Sequence, residues 1–218
     1  MGLQTIINNA TFLTVEYNKL AAQSFSRSGR LLTAELVSAV PFKLTVGMHE
    51  ALQYSQNRAL LAELGELDIT TEEQVNIGTS NPGQSYVLGY QGDSTGIAAV
   101  TCVSASGKTL TVNASGAGSG TFLFKKGDYI QPGSGYRYPY IVTADVAHTT
   151  SSSVAVSIHR AFIPQSGYSI STKPLATGVN CNFKFKMISK PSYSVVPYDR
   201  LAFGSNFELV EVIRKQDT

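Results

Sequence analysis

The sequence predicts a mainly β protein: a split antiparallel β-barrel or sandwich with one helix, into which a second, small β-barrel is inserted. Three observations carry this reading. Apolar and polar residues alternate in short runs along most of the chain, the intervals between runs are rich in Gly and Ser, and a single stretch shows helical rather than strand periodicity.

Taken in chain order, the first clear strand is Pro41-Phe42-Lys43-Leu44-Thr45-Val46, with Phe42, Leu44 and Val46 on one face and Lys43 and Thr45 on the other. The stretch that follows is rich in Ala, Leu, Glu, Gln and Arg, and Leu52, Leu60 and Leu64 fall at helical spacing. The spacing predicts a helix over 48–64, with Gly65 near its end. An acidic, Thr-rich run from Glu66 to Glu73 then leads into a short strand at Val75 and Ile77.

After Tyr90-Gln91-Gly92-Asp93 charge thins out, and residues 94–178 read as short strands joined by Gly/Ser turns. Leu110 and Val112 alternate with Thr109 and Thr111, and Val154, Val156 and Ile158 alternate with Ala155 and Ser157. Near Val179 the charged alternation returns: Phe183, Phe185 and Met187 stand against Lys184 and Lys186, and Phe207-Glu208-Leu209-Val210-Glu211 follows. The simplest organisation has residues 1–93 and 179–218 as the host barrel and 94–178 as an inserted, OB-like barrel. Insertion at a surface loop is tolerated because the host's loop ends stay close in space.

Composition narrows the function. Charged residues make up 15% of the chain, against roughly 25% in soluble domains, so part of the surface is expected to be covered by neighbours. Seventeen basic and fifteen acidic residues give a net charge of +2 and are spread along the chain, which leaves no footprint for sequence-specific nucleic-acid binding. The start of the chain lacks a basic segment followed by an apolar run, and no stretch approaches the ~18 apolar residues of a membrane span. Assembly in a cytoplasm and no membrane partner are expected. Cys102 and Cys181 are too few and too far apart for a zinc site or a disulfide framework, and two buried free thiols are expected.

Glu63, Glu66 and Asp68 are the nearest carboxylate cluster, and a solvated helix face explains them. His49, His148 and His159 lack metal-ligand spacing and read as surface or interface side chains. Gly107-Lys108-Thr109 imitates the end of a phosphate loop but lies between two strands, where that motif needs a helix to follow. No serine sits in a nucleophile elbow. No catalytic residue, metal or cofactor is therefore expected. The aromatic cluster Tyr136-Arg137-Tyr138-Pro139-Tyr140 suits either a glycan-stacking platform or a protein interface, and its Gly/Pro-rich strand context favours the interface.

The order of elements resembles the split β-barrel of phage tail-tube, distal-tail and baseplate-hub proteins. The resemblance is carried by the basic loop Phe25-Ser26-Arg27-Ser28-Gly29-Arg30, the strand at 41–46, the helix and the closing strands at 180–188 and 206–214. The stretch Phe124-Lys125-Lys126-Gly127-Asp128-Tyr129-Ile130-Gln131, followed by Tyr140-Ile141-Val142-Thr143-Ala144-Asp145-Val146, is similar to small barrels inserted in such virion proteins. The match covers most of the chain in style rather than in signature residues.

The resemblance implies a virion protein at the distal tube or baseplate hub, with six copies in a ring whose lumen DNA crosses without sequence-specific binding. Other tail and baseplate proteins would be its neighbours. Arg27, Arg30, Glu63, Glu66, Asp68, Glu72 and Glu73 are the expected ring-interface or lumen residues. Lys125, Lys126, Asp128, Tyr136, Arg137 and Tyr138 are the expected outward contact surface of the inserted barrel. A carbohydrate-binding β module using Tyr136, Tyr138 and Tyr140, and a head-tail connector or decoration protein, are the alternatives.

Overall fold

The structure is a computed structural model that describes residues 2–17, 21–25, 31–35, 40–48, 52–68, 71–78, 82–118, 120–133 and 135–214. It is mainly β, and every strand pairing among the described residues is antiparallel. The first part of the chain holds α1 (Leu3–Asn8), β1 (Ala10–Tyr17), β2 (Ala21–Phe25), β3 (Leu31–Glu35), β4 (Phe42–Met48), β5 (Leu52–Gln53), α2 (Arg58–Glu66) and β6 (Glu73–Asn76). The middle holds β7 (Thr101–Ser106), β8 (Thr109–Asn113), β9 (Phe122–Phe124), β10 (Tyr129–Pro132), β11 (Tyr140–Ile141), β12 (Val146–Ala147), β13 (Val154–Ser157) and β14 (Leu175–Thr177). The last part holds β15 (Asn182–Ser189), β16 (Tyr193–Val196), β17 (Arg200–Phe203) and β18 (Phe207–Glu211).

The largest sheet has five strands in the order β1-β4-β18-β15-β6 and curls into a half barrel. Its inner face is what the alternation dictates: Phe42, Leu44 and Val46 on β4, Phe183, Phe185 and Met187 on β15, and Phe207 and Leu209 on β18 are all buried. Each such side chain contributes about 1.5–3 kcal/mol by leaving water. Leu3, Ile6 and Ile7 of α1 and Leu60, Leu61 and Leu64 of α2 close over this face in the same core cluster.

Among the described residues two α-helices replace the single helix expected, and the expected helix over 48–64 is shorter. Leu52 and Gln53 pair instead with Leu201 and Arg200 of β17, so a sheet contact overrides their helical propensity and the helix begins at Arg58. Its C-terminal end is held by Lys190, whose ammonium donates to the Leu64 carbonyl.

A second core cluster gathers Val100, Cys102, Leu110, Val112, Leu123, Phe124, Ile130, Val156 and Ile158 with three tyrosines. The hairpin expected at Gly107-Lys108 joins β7 to β8, with Gly107 at φ +53° as a two-residue turn opening on Gly requires. Cys102 and Cys181 are buried free thiols.

Candidate functional site

Arg27 and Arg30 lie outside the described residues, in the connection between β2 and β3. The acidic group divides. Glu66 and Asp68 are exposed at the end of α2, and Glu63 is half-buried. Glu72 accepts from Arg214 at 2.8 Å and lies 3.1 Å from Lys184, and the Arg214 hydrogen bond leads in holding its carboxyl below the usual range. Glu73 accepts the Leu3 N–H at 2.7 Å. Glu72 and Glu73 therefore serve contacts within the protomer.

The expected outward surface of the middle segment needs correction. Tyr136 and Tyr138 are 1% and 0% exposed and Asp128 is 0% exposed, so none presents a contact face. Tyr136 and Tyr140 stack on Phe162 at 5.5 and 5.7 Å between ring centroids. The Tyr136 hydroxyl donates to the Ile163 carbonyl, and the Tyr140 hydroxyl accepts the Ile163 N–H at 3.0 Å. Buried phenols need such partners, and burial raises the Tyr140 hydroxyl to about 12. The same burial removes Tyr136, Tyr138 and Tyr140 as a glycan platform, because no ring face is open to a sugar. Asp128 is a turn organiser whose two carboxylate oxygens accept the Gln91 and Lys125 N–H groups, both at 2.8 Å. Lys126 is exposed, and Lys125 and Arg137 are half-buried.

A polar junction that the sequence reading missed lies between the two core clusters. The β18 alternation that buries Phe207 and Leu209 carries Glu211 to the same face, where a carboxylate must be paired. Arg160 supplies the partner, donating to Glu211 Oε2 and Oε1 at 2.5 and 2.7 Å, with both side chains 0% exposed. Arg160 also donates to the Val40 and Pro139 carbonyls at 2.7 and 2.9 Å, and its guanidinium lies 5.0 Å from the Phe42 ring centroid. The Phe42 N–H donates to Glu211 at 3.0 Å.

Beside this junction His159, expected as a surface or interface side chain, is half-buried. Its Nδ1 accepts the Ile141 N–H at 2.9 Å, and its ring packs against Tyr17, Phe42 and Tyr140. Burial, with Arg160 and Lys108 nearby, lowers it to about 3.

The remaining feature concerns sheet borders. On the β6 side, the Gln4 side chain accepts the Asn76 N–H at 2.8 Å and donates to the Asn76 carbonyl at 2.9 Å, standing in for a sixth strand. On the opposite side, β1 is paired with β4 and with no other described strand. Phe12, Thr14 and Glu16 alternate along it and are exposed, Phe12 by 45%. The Phe12 ring lies across Gly47, its cross-strand partner, where an added Cβ would overlap it. This ring borders a groove of about 480 Å³ lined also by Met48 and by Ala202, Phe203, Gly204, Ser205 and Asn206.

A second border belongs to β16, at the end of the sheet β16-β17-β5. Tyr193 and Val195 are about half exposed, and the hairpin tip shows Tyr198 at 94%. Tyr198 and Asp199 both have positive φ, 67° and 61°, which costs an L residue about 1–2 kcal/mol. The tip is braced nonetheless: Asp199 accepts the Ser55 N–H at 2.9 Å and the Ser55 hydroxyl, and its carbonyl accepts the Tyr54 N–H at 2.9 Å.

Among the described residues no helix is long and apolar enough to cross a membrane, and no three His, Cys, Asp or Glu side chains converge as metal ligands would. No protein-family model matches the chain, and no curated protein is significantly similar to it.

Proposed function

We propose that the chain is a non-enzymatic structural subunit of a bacteriophage tail that joins copies of itself into a ring, six-fold by resemblance, at the distal tube or baseplate hub. One observation carries the reading: the half-barrel sheet is capped by the Gln4 side chain at one border, whereas its other border strand, β1, shows Phe12, Thr14 and Glu16 to the outside with no further described strand paired to it. Border strands of a sheet are either blocked or used for pairing with another chain. Here Gln4 blocks β6, whereas β1 carries exposed Phe12 and no covering strand among the described residues. Joining copies side by side at such borders extends the sheet from one copy to the next, and a closed ring leaves no border behind.

The low charged fraction of 15% fits a protomer that hides surface against its neighbours. The lumen would carry DNA without base-specific contacts. The segment 94–178, read as an inserted barrel, would face other tail proteins. Native mass measurement and negative-stain imaging of the purified protein test this reading. Six-fold rings are expected; a monomer that persists at about 100 μM, well above the micromolar range of ordinary specific association, overturns it.

A further inference from the structure

We infer that the β16 strands of two copies pair antiparallel about a two-fold axis at Ser194, so that Tyr193 of each copy lies opposite Val195 of the other. This contact goes beyond the ring reading and does not rest on it.

The backbone decides which groups face outward. The Gly204 N–H donates to the Ser192 carbonyl at 2.9 Å, and the register then pairs Ser194 with Ala202 and Val196 with Arg200. Hydrogen-bonded pairs alternate along an antiparallel ladder, so Ser194 and Val196 turn their N–H and C=O groups to β17, and Tyr193 and Val195 turn theirs away from it. The far side of β17 agrees. The Asp199 carbonyl accepts the Tyr54 N–H at 2.9 Å, and Leu201 is the register partner of Leu52, so the odd-numbered residues of β17 face β5. Among the described residues β16 ends this sheet, and Tyr193, Ser194 and Val195 are all exposed.

The side chains mark the same border. Of the eight large apolar side chains exposed among the described residues, Ile188, Tyr193, Val195 and Tyr198 fall within 188–198, and such a concentration points to a protein contact. Border strands are ordinarily guarded by charge, yet residues 191–198 carry none.

The strand's own sequence selects a second copy as the occupant. Pro191-Ser192-Tyr193-Ser194-Val195-Val196-Pro197 is nearly symmetric about Ser194. Antiparallel pairing about that residue matches the outward N–H and C=O groups of Tyr193 to those of Val195 in the other copy, and the reverse. It sets Pro191 opposite Pro197 at both ends, where neither has an N–H to give and the ladder stops. A slip of two residues either way draws one of these prolines into the ladder opposite Val195 or Tyr193 and loses a donor. In the symmetric register each facing pair is an aromatic ring against a β-branched side chain, a stabilising cross-strand combination. The uncharged strand brings no like charges together on the axis. Asp199 accepts the Ser55 N–H at 2.9 Å, so the hairpin is braced before it meets its copy. The contact is isologous, with the same patch on both sides.

Cysteine cross-linking reads the register. On the axis Ser194 faces its own counterpart as a non-hydrogen-bonded pair, about 4.5 Å between Cα atoms, within the roughly 4.4–6.8 Å that a disulfide spans. Val196 lies on the same face but would stand about 14 Å from its counterpart, four residues at strand rise. The native Cys102 and Cys181 are buried and do not compete. With copper phenanthroline as oxidant, Ser194→Cys is expected to form a reducible dimer at least about tenfold faster than Val196→Cys. Adding Val195→Pro to Ser194→Cys keeps the hairpin bonds, because the Val195 N–H faces outward, and is expected to slow the cross-link by about tenfold. Circular dichroism confirms that each variant folds. Equal rates for the two cysteines, no dimer from Ser194→Cys, or a cross-link indifferent to Val195→Pro overturns the pair. Rings that form without the Ser194→Cys cross-link remove the pair and leave the ring reading; cross-linked dimers without rings support the pair and remove the ring.

Discussion

At the scale of single residues, the most informative side chains are polar ones at apolar positions. His159 has the alternation neighbours of a strand end and no motif around it, so nothing in the sequence marks its packing against Tyr17, Phe42 and Tyr140. Its environment decides its protonation. Nδ1 accepts the Ile141 N–H, so a proton added there would break that bond, and Arg160 next to it disfavours a second positive charge. The folded state keeps the ring neutral down to about 3, whereas the unfolded chain takes up a proton near the ordinary value of about 6.5. A base with a lowered folded value makes stability fall as pH drops through this window, at up to about 1.4 kcal/mol per pH unit. Urea melts between pH 7 and 4 are expected to show this slope in the wild type. In His159→Asn, whose side-chain oxygen can still accept the Ile141 N–H, stability should be lower at pH 7 and fall less steeply on acidification.

At the scale of elements, legibility followed periodicity and length. The strands at Phe42–Met48 and Asn182–Ser189 were readable because alternation decides which face is buried, and the structure buries Phe42, Leu44, Val46, Phe183, Phe185 and Met187 as that pattern requires. The helix was half-readable: Leu60 and Leu64 face the core from Arg58–Glu66, but Leu52 was claimed by a β17 partner 149 residues later, a contact no local window contains. The helix Leu3–Asn8 went unseen although Leu3, Ile6 and Ile7 have the right spacing, because six residues are too few to stand out. Its role is specific. Gln4 pairs with the Asn76 backbone, Asn76 is the register partner of Asn182, and the Asn182 backbone is paired in turn by the buried Gln131 side chain at 2.8 and 2.9 Å. Two glutamine amides thus finish backbone pairing that strands do not. Gln4→Ala is expected to lose about 1–2 kcal/mol, to speed amide exchange at Asn76, and to expose the β6 border to strand pairing, which hydrogen-exchange mass spectrometry and light scattering would detect.

At the scale of the whole molecule, the question is whether the two core clusters behave as one unit. Sequence style separated 94–178 from its flanks, but it gave no hint of how tightly the parts are tied, because the tie is an ion pair between residues 51 positions apart. The exposed pair Lys43–Glu208, about 40% exposed on each side, contributes at most about 1 kcal/mol. Arg160–Glu211 is different in kind. With both partners fully buried, its net stabilisation over an apolar pair is small, but separating the cores or deleting one partner strands a charge without water. Arg160→Met is therefore expected to cost about 3–5 kcal/mol. Arg160→Met with Glu211→Leu should cost much less, retaining a penalty of about 1–3 kcal/mol for the Phe42 N–H that loses its acceptor.

Calorimetry reads the coupling directly. If the junction makes the clusters cooperative, the wild type melts in one transition with equal calorimetric and van't Hoff enthalpies, near 150 kcal/mol by about 0.7 kcal/mol per residue. The double variant keeps both cores packed but replaces the ionic tie by apolar contact, which tolerates partial separation. Its transition is expected to broaden or split. Two transitions already present in the wild type would show that Arg160 and Glu211 only fill a gap between independently stable parts. A single sharp transition retained in the double variant would assign the coupling instead to the Gln131–Asn182 pairing.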